Sequence, residues 1–191
     1  MTTVRAMNRL HSQLARFEDA FPGFRTEIVE GDVVASPVTP HHGMTIHRVW
    51  SALEPQVGDS WGVTSDVAFP FDEENEFCPD LAVIPAAEVA KNQISYAPDL
   101  IEMVIEVVSR GSSRRDYEIK PRRYAAQGIA NYLIFDPLKG HCVAMWNPGP
   151  DGYRGRDTIP YGPDLTADSP LGKLTVPTAS LPVDPKARPR P

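Results

Sequence analysis

Residues 101–108, IEMVIEVV, are the most strand-like segment of this chain and limit the folds that it can adopt. Apolar residues, many of them β-branched, occupy both faces of the segment, which is typical of a strand inside a sheet. Ser109, Arg110 and Gly111 end the run. Glu106 lies within it, and a carboxylate buried at such a position needs a partner for its charge.

Helix-like and strand-like segments alternate along the chain. Patterns with steps of three and four residues predict helices at 4–21, 46–53 and 112–128. Extended patterns predict strands at 61–69, 81–84 and 131–135, hairpins at 24–36 and 141–159, and a charged loop at 72–76. Strands separated by helices indicate an α/β fold with a mixed β-sheet.

Pro121 lies inside the third predicted helix. Proline is tolerated only in the first turn of a helix, because it lacks an N–H group and its ring clashes with the preceding turn. We therefore expect this helix to begin near Glu118 or to be kinked at Pro121.

The composition is that of one globular domain. The 191 residues are 41% apolar and 23% charged, which argues against wholesale disorder. We expect a single domain at residues 1–183 and a Pro-rich, flexible carboxyl-terminal tail at 184–191. Cys78 and Cys142 are too few for a disulfide framework or a four-thiolate zinc site, which fits a reducing cytoplasm. No segment reaches the ~20 apolar residues of a membrane span, so we expect a cytoplasmic protein without membrane contact.

The charge distribution limits the possible partners. The 19 Lys+Arg and 25 Asp+Glu residues give a net charge of −6, so the chain lacks the overall positive field of many nucleic-acid binders. A function directed at phosphates must then depend on a bound metal ion or on a local basic patch. Five arginines beside Lys120 are candidates for such a patch: Arg110, Arg114, Arg115, Arg122 and Arg123. The same arginines are also compatible with an ordinary solvated face.

Two carboxylates are candidates for a shared metal ion. Asp80 directly precedes the predicted strand 81–84, and Glu106 lies in the strand 101–108. Mg²⁺ holds its oxygen ligands at about 2.0–2.1 Å, so two ligating carboxylates must lie within a few ångströms of each other. Asp99 lies roughly 23 Å and Glu102 about 13 Å from Glu106 along a continuous strand, so neither can share an ion with it. Asp80 belongs to another strand and can be adjacent.

These residues resemble the motif of a known nuclease superfamily. Pro79-Asp80, the later Glu106-Val107-Val108 and the downstream Lys120 are similar to the PD-(D/E)XK pattern. More narrowly, residues 26–183 resemble the Uma-two family of restriction-endonuclease-like proteins. The matching stretches are TEIVEGDVVASPVTPHH, CPDLAVI, APDLIEMVIEVVSRGSSRRDYEIKPRRYAAQGIANYLIFDP and SPLGKLTVP. The resemblance implies a restriction-endonuclease-like fold, in which helices flank a central mixed sheet. In this chain an N-terminal helix and a hairpin precede that sheet. The resemblance also implies a homodimer.

The resemblance also implies roles for individual residues. Asp80 and Glu106 would bind Mg²⁺, with Mn²⁺ as a possible substitute, and Lys120 would assist the attacking water. Val108 stands where the superfamily usually has its lysine, and valine cannot replace that cation. In this family the lysine moves to the next helix, which corresponds to Lys120.

Other interpretations of these residues stay open at this point. His42 matches a histidine that the family places near the site, but it is also compatible with a surface position at a helix start. Glu27 matches a hairpin glutamate without an assigned role. Glu106 could instead form a buried ion pair with Lys120, and Lys120 could form a solvated pair with Asp116.

Two functions follow from these considerations. The first is a Mg²⁺-dependent endonuclease that hydrolyses the phosphodiester bonds of DNA, in which a metal-bound water attacks phosphorus and Lys120 stabilises the developing charge. The second is a catalytically idle module that keeps the fold and binds nucleic acid or protein through its basic patch. The presence of both acids and of the lysine favours the enzyme.

Overall fold

A six-stranded mixed sheet forms the centre of the structure, a computed structural model that describes residues 10–14, 16–17, 19–20, 25–36 and 39–185. Its strands are β3 (Trp61–Thr64), β6 (Leu81–Pro85), β7 (Met103–Val107), β8 (Asn131–Asp136), β9 (His141–Gly149) and β10 (Gly152–Pro160). They lie in the order β10-β9-β8-β7-β6-β3. β7 and β8 are parallel, and the other neighbours are antiparallel. The predicted α/β fold with a mixed sheet is confirmed.

Two smaller sheets accompany the central one. The first contains β1 (Arg25–Val29), β2 (Asp32–Ser36), β4 (Phe69–Asp72) and β5 (Asn75–Phe77), in the order β2-β1-β5-β4. The second pairs β11 (Leu165–Ser169) with β12 (Gly172–Val176). Both predicted hairpins are present, as β1–β2 and as β9–β10.

Besides the helical residues between 10 and 20, the described chain contains three α-helices, one 3₁₀ turn and one π-helical turn. The α-helices are α1 (Pro40–Leu53), α2 (Ala86–Val89) and α3 (Lys120–Ala126), a 3₁₀ turn covers Pro98–Leu100, and a π-helical turn covers Arg115–Ile119. Residues 10–14, 16–17 and 19–20 are helical, as predicted. The other residues of the predicted helix 4–21, and residues 186–191 of the predicted tail, lie outside the described residues. Within the described ranges, no helix is long and apolar enough to cross a membrane.

The central sheet separates two apolar cores. On one face, Val49 and Leu53 of α1 pack with Ile105 of β7. On the other face, Tyr124 of α3 packs with Phe77 of the four-stranded sheet. All of these side chains are buried, and each contributes about 1.5–3 kcal/mol of hydrophobic stabilisation. Because side chains alternate along a strand, Ile105 and Glu106 point to opposite faces, and Glu106 points towards α3.

Two predictions about the region 61–76 are wrong. The predicted strand 61–69 is divided, because β3 ends at Thr64 and β4 begins at Phe69 in a different sheet. Asp66 lies between them with a φ of 56°, a left-handed conformation that interrupts a strand. The predicted charged loop 72–76 is shorter than expected, because β4 ends at Asp72 and β5 begins at Asn75, which leaves residues 73–74 as the turn of a hairpin. Asn75 is fully buried there and donates to Asp72 Oδ1 at 2.7 Å.

The π-helical turn explains how Pro121 is accommodated. The N–H of Lys120 bonds to the carbonyl of Arg115, five residues back, so the turn is wider than an α-helical turn. Pro121 then falls in the first turn of α3, where the missing N–H leaves no intrahelical bond unmade. The helix is therefore continuous through this region and changes its hydrogen-bond pattern at Lys120.

Candidate active site

Strands β6 and β7 bring Asp80 and Glu106 to neighbouring positions. The antiparallel register pairs Leu81 with Ile105. Asp80 directly precedes β6 and therefore lies opposite Glu106. Asp80 Oδ2 accepts a hydrogen bond from the Val107 N–H at 2.6 Å, which fixes this carboxylate against the end of β7. Asp80 is 2% exposed and Glu106 is 3% exposed. The sheet thus holds two carboxylates, both withdrawn from bulk water, at one place.

Glu106 is held by two donors from α3 that share one of its oxygens. Lys120 Nζ donates to Oε1 at 2.7 Å, and the Tyr124 hydroxyl donates to the same Oε1 at 2.8 Å. Lys120 and Tyr124 are one helical turn apart, which aligns them on the face of α3 that meets β7. Glu106 Oε2 accepts no hydrogen bond from any residue that the structure describes. Burial raises the pKa of Glu106, and the charge of Lys120 opposes that effect.

Lys120 is a buried cation shared by three carboxylates. Its Nζ lies 2.7 Å from Glu106 Oε1, 2.7 Å from Glu27 Oε1 and 4.0 Å from Asp116 Oδ1. Burial alone lowers the pKa of Lys120, but the charges of Glu106, Glu27 and Asp116 outweigh burial, and the net result is a raised pKa. Lys120 is therefore an ammonium ion at neutral pH. Its exposure of 2% contradicts the alternative of a solvated pair with Asp116.

Glu27 reaches the site from the four-stranded sheet. It lies on β1 and is 6% exposed. Its Oε1 accepts a hydrogen bond from the Cys78 N–H at 2.9 Å in addition to the contact with Lys120. Cys78 lies two residues before Asp80, so the segment that carries Asp80 also holds Glu27 in place.

Asp116 is the third acid beside Lys120 and comes from the π-helical turn. The Ser112 hydroxyl donates to its Oδ2 at 2.5 Å, and its side chain is almost completely buried. Burial raises the pKa of Asp116 to about 7, with Lys120 lowering it and Glu106 raising it further. Asp116 therefore changes its charge near neutral pH.

His42 lies beside Asp80 at the start of α1. The Thr39 side chain caps this helix by accepting from the His42 N–H at 3.4 Å. His42 Nε2 lies 3.3 Å from Asp80 Oδ1, and the histidine is 5% exposed. This burial contradicts the alternative of a surface histidine at a helix start.

A small cavity of about 20 Å³ lies among these groups, large enough for one water molecule or one ion. Seven Asp, Glu, His, Lys or Arg side chains line it: Glu27, His42, Asp80, Arg115, Glu106, Asp116 and Lys120. Four of the seven are acids, against two permanent cations and one histidine. The lining therefore has an excess of carboxylates over permanent cations.

This donor set fits a hard divalent cation with few protein ligands. In the described part of the chain, no three His, Cys, Asp or Glu side chains converge as ligands of one ion. Structural zinc sites require four nitrogen or sulfur ligands, whereas Mg²⁺ is bound by one or two carboxylates and keeps several waters. Asp80 and Glu106 form such a pair, and Glu106 Oε2 is an acceptor that no described donor engages.

The five predicted phosphate-binding arginines have different surroundings in the structure. Arg115 lines the cavity, whereas the other four do not. Arg110 pairs with Asp184 at 3.3 Å, and Arg123 pairs with Asp72 at 2.7 Å. Arg114 lies 3.6 Å from Glu30 and 3.9 Å from Glu118. Arg122 is exposed and forms no ion pair with a described residue.

Sequence patterns gave incomplete information about Glu27 and Tyr124. Glu27 was matched to the family without a role, because its contact with Lys120 joins two sheets and leaves no periodic pattern. Tyr124 is fully buried in the core, and its hydroxyl also bonds to Glu106. The four-residue spacing of Asp116, Lys120 and Tyr124 was the available signal that these side chains share one face.

Comparisons with known proteins agree with this architecture. A crystal structure titled as a putative nuclease belonging to DUF820 from Anabaena variabilis is similar with a TM-score of 0.60 and 16% sequence identity, over 85% of this chain and 88% of that chain. That likeness shows the fold. No curated protein matches the sequence. The model of the Uma2 family, described as "Putative restriction endonuclease", matches residues 11–183. The chain therefore belongs to the Uma2 family.

Proposed function

We propose that this protein is a divalent-metal-dependent endonuclease that hydrolyses phosphodiester bonds of DNA. The observation that carries the proposal is the arrangement of Asp80, Glu106 and Lys120 around one small cavity. Two acids can hold a metal ion that activates water, and a lysine can stabilise the charge that develops during phosphodiester hydrolysis. Membership of a family described as a restriction endonuclease, and the nuclease title of the similar structure, support the same chemistry.

Asp80 and Glu106 are the residues that would hold Mg²⁺. When bound there, the ion would polarise a phosphoryl oxygen and lower the pKa of a coordinated water. Asp80 is already oriented by the Val107 N–H, so its carboxylate does not have to be ordered on binding. Glu106 can present Oε2 while Oε1 keeps its bonds to Lys120 and Tyr124.

Lys120 would act as a fixed positive charge beside the reacting phosphate. Because its pKa is raised, it does not serve as a general base at neutral pH. It can instead stabilise the charge that develops on the phosphoryl oxygens as water attacks phosphorus and the bond to the leaving sugar oxygen breaks. Glu27 would keep Lys120 in place, since it holds Nζ independently of Glu106.

The decisive experiment measures cleavage and metal binding together. Purified protein is incubated with plasmid and single-stranded DNA in Mg²⁺, Mn²⁺ or EDTA, and Mn²⁺ binding is measured by calorimetry. We expect Glu106→Ala and Asp80→Asn to lower cleavage by about 10²-fold or more and to weaken Mn²⁺ binding. Glu102→Ala is the matched control, because Glu102 does not line the cavity. Cleavage that is unaffected by Glu106→Ala would defeat the proposal.

A second candidate rests on the Glu106–Lys120 pair. A buried ion pair at 2.7 Å also satisfies both charges without any ligand, as in a catalytically idle module. That module would bind nucleic acid or protein independently of metal, and neutralising Arg114 and Arg115 would weaken its binding.

We also propose a cytoplasmic homodimer. Light scattering of the purified protein tests the oligomeric state. The free cysteines Cys78 and Cys142 are compatible with a reducing compartment.

A further inference from the structure

A groove adjoins the catalytic cavity and shares one of its walls. Ser109 lines both spaces, and Val108 continues the wall from the end of β7 into the groove. The start of α1, the turn after β8 and Pro185 form its other sides. Its volume is about 350 Å³, near the lower end of the range for small-molecule sites. The groove therefore has room for one small ligand group next to the cavity.

The lining combines apolar walls with a polar rim. Pro40, Leu138 and Pro185 supply the accessible apolar surface, whereas Val108 and Pro137 are buried. At the rim, Arg110 pairs with Asp184 at 3.3 Å, so a hydrogen-bond donor and an acceptor lie side by side. A nucleobase has the matching chemistry, because its faces pack on apolar surface and its edge carries both donors and acceptors.

We propose that this groove receives the base of an unpaired nucleotide whose phosphate lies beside the cavity, so that the protein prefers single-stranded or locally opened DNA. The proposal rests on the proposed function, because it needs a phosphate beside Lys120. A base that packs on Leu138 within this groove cannot at the same time stack and pair in a duplex. A duplex must therefore expel one base before it binds, which opposes its binding.

Binding in the absence of cleavage tests the preference. Anisotropy is measured in EDTA with three labelled probes: an unstructured single strand, the same strand annealed to its complement, and an abasic strand of the same length. We expect the single strand to bind at least about tenfold more tightly than the other two, as stacking of one base implies. Equal affinity for the three probes would overturn the proposal.

Filling the groove should remove this preference. Leu138→Trp places an indole within it, and the variant is expected to bind all three probes with the affinity that the wild type has for the duplex. Ile94→Trp is the matched control, because Ile94 is 90% exposed and lies outside the groove. Pro185→Trp fills the groove from its exposed rim and replaces Leu138→Trp if circular dichroism shows that the latter is unfolded. A preference that persists in the folded filling variant refutes the proposal.

The two proposals fail in different ways. Cleavage that requires Glu106, together with equal binding of single strand and duplex, overturns the groove and leaves the nuclease. A preference for the single strand that Leu138→Trp abolishes, without cleavage in any metal, supports the groove and overturns the nuclease.

Discussion

Replacing Lys120 by methionine should lower the free energy of unfolding, because the buried carboxylates around Lys120 lose their cation. Methionine keeps most of the apolar stem and removes only the ammonium group. Glu106 and Glu27 each lose a contact of 2.7 Å, and Asp116 loses one of 4.0 Å. Removing one partner of a buried ion pair costs about 3–5 kcal/mol, because the remaining charge is left uncompensated. We expect a loss of this size at pH 8.

The same loss should become smaller as the pH falls. Burial already raises the pKa of Glu106 and of Asp116, and without Lys120 only the hydrogen bonds from Tyr124 and Ser112 oppose that effect. At pH 5 these acids can take up protons and become neutral, so the remaining cost approaches that of an unsatisfied polar group, about 1–3 kcal/mol.

Urea denaturation in EDTA measures the loss of unfolding free energy at pH 8 and at pH 5. A shifted midpoint with an unchanged slope indicates a change in stability within the same unfolding transition. Lys91→Met is the matched control, because Lys91 also lies 2.7 Å from a glutamate but its side chain is 53% exposed. Its loss should stay below about 1 kcal/mol. If Lys120→Met costs no more than this control at pH 8, the cluster is not a desolvated network and the reasoning is wrong.

Three further predictions concern single groups. Asp116 has a folded-state pKa of about 7, above its ordinary value of 3.8. Between these pH values the folded protein keeps a proton on Asp116 that the unfolded chain releases. The unfolding free energy should therefore fall as pH rises from about 4 to about 7. Asp116→Asn should flatten that part of the urea-denaturation profile, and an unchanged slope would contradict the assignment. Tyr124→Phe removes one hydrogen bond to the Glu106 carboxylate and should cost about 1.5–3 kcal/mol at pH 8, measured in the same way. Gly155→Ala would place a Cβ in a steric clash with the Trp146 indole, so we expect a loss of about 1–3 kcal/mol and a red shift of tryptophan fluorescence as the indole is displaced. Unchanged fluorescence in this variant would mean that the indole does not cover Gly155.

The central strands and the first two acids of the site were predictable because their signals are local. The apolar run 101–108 became β7, and the Pro79-Asp80 position before β6 follows from a short apolar segment. The sequence indicated only that Asp80 can lie near Glu106, and the antiparallel register of β6 and β7 places the two residues opposite each other.

Long-range and conformational features were not predictable in the same way. The contact between Glu27 and Lys120 depends on how one sheet docks on another, which no periodicity records. The break at Asp66 depends on a left-handed residue that interrupts an otherwise regular alternation. The pairing of Arg110 and Arg123 with distant acids depends on the tertiary fold, so a run of basic residues overestimates the positive charge at the surface.

The docking of the four-stranded sheet on the central sheet has a consequence for how the protein acquires its activity. Glu27 belongs to the first sheet, Glu106 to the second, and the Lys120 side chain lies between them. Charged groups leave water at acceptable cost only when their partners are already in place. A partly folded chain would therefore keep these groups hydrated and apart. Closure of the site and docking of the two sheets must then occur in one cooperative step, so that a nascent or damaged chain gains the proposed nuclease activity only when the whole domain is formed.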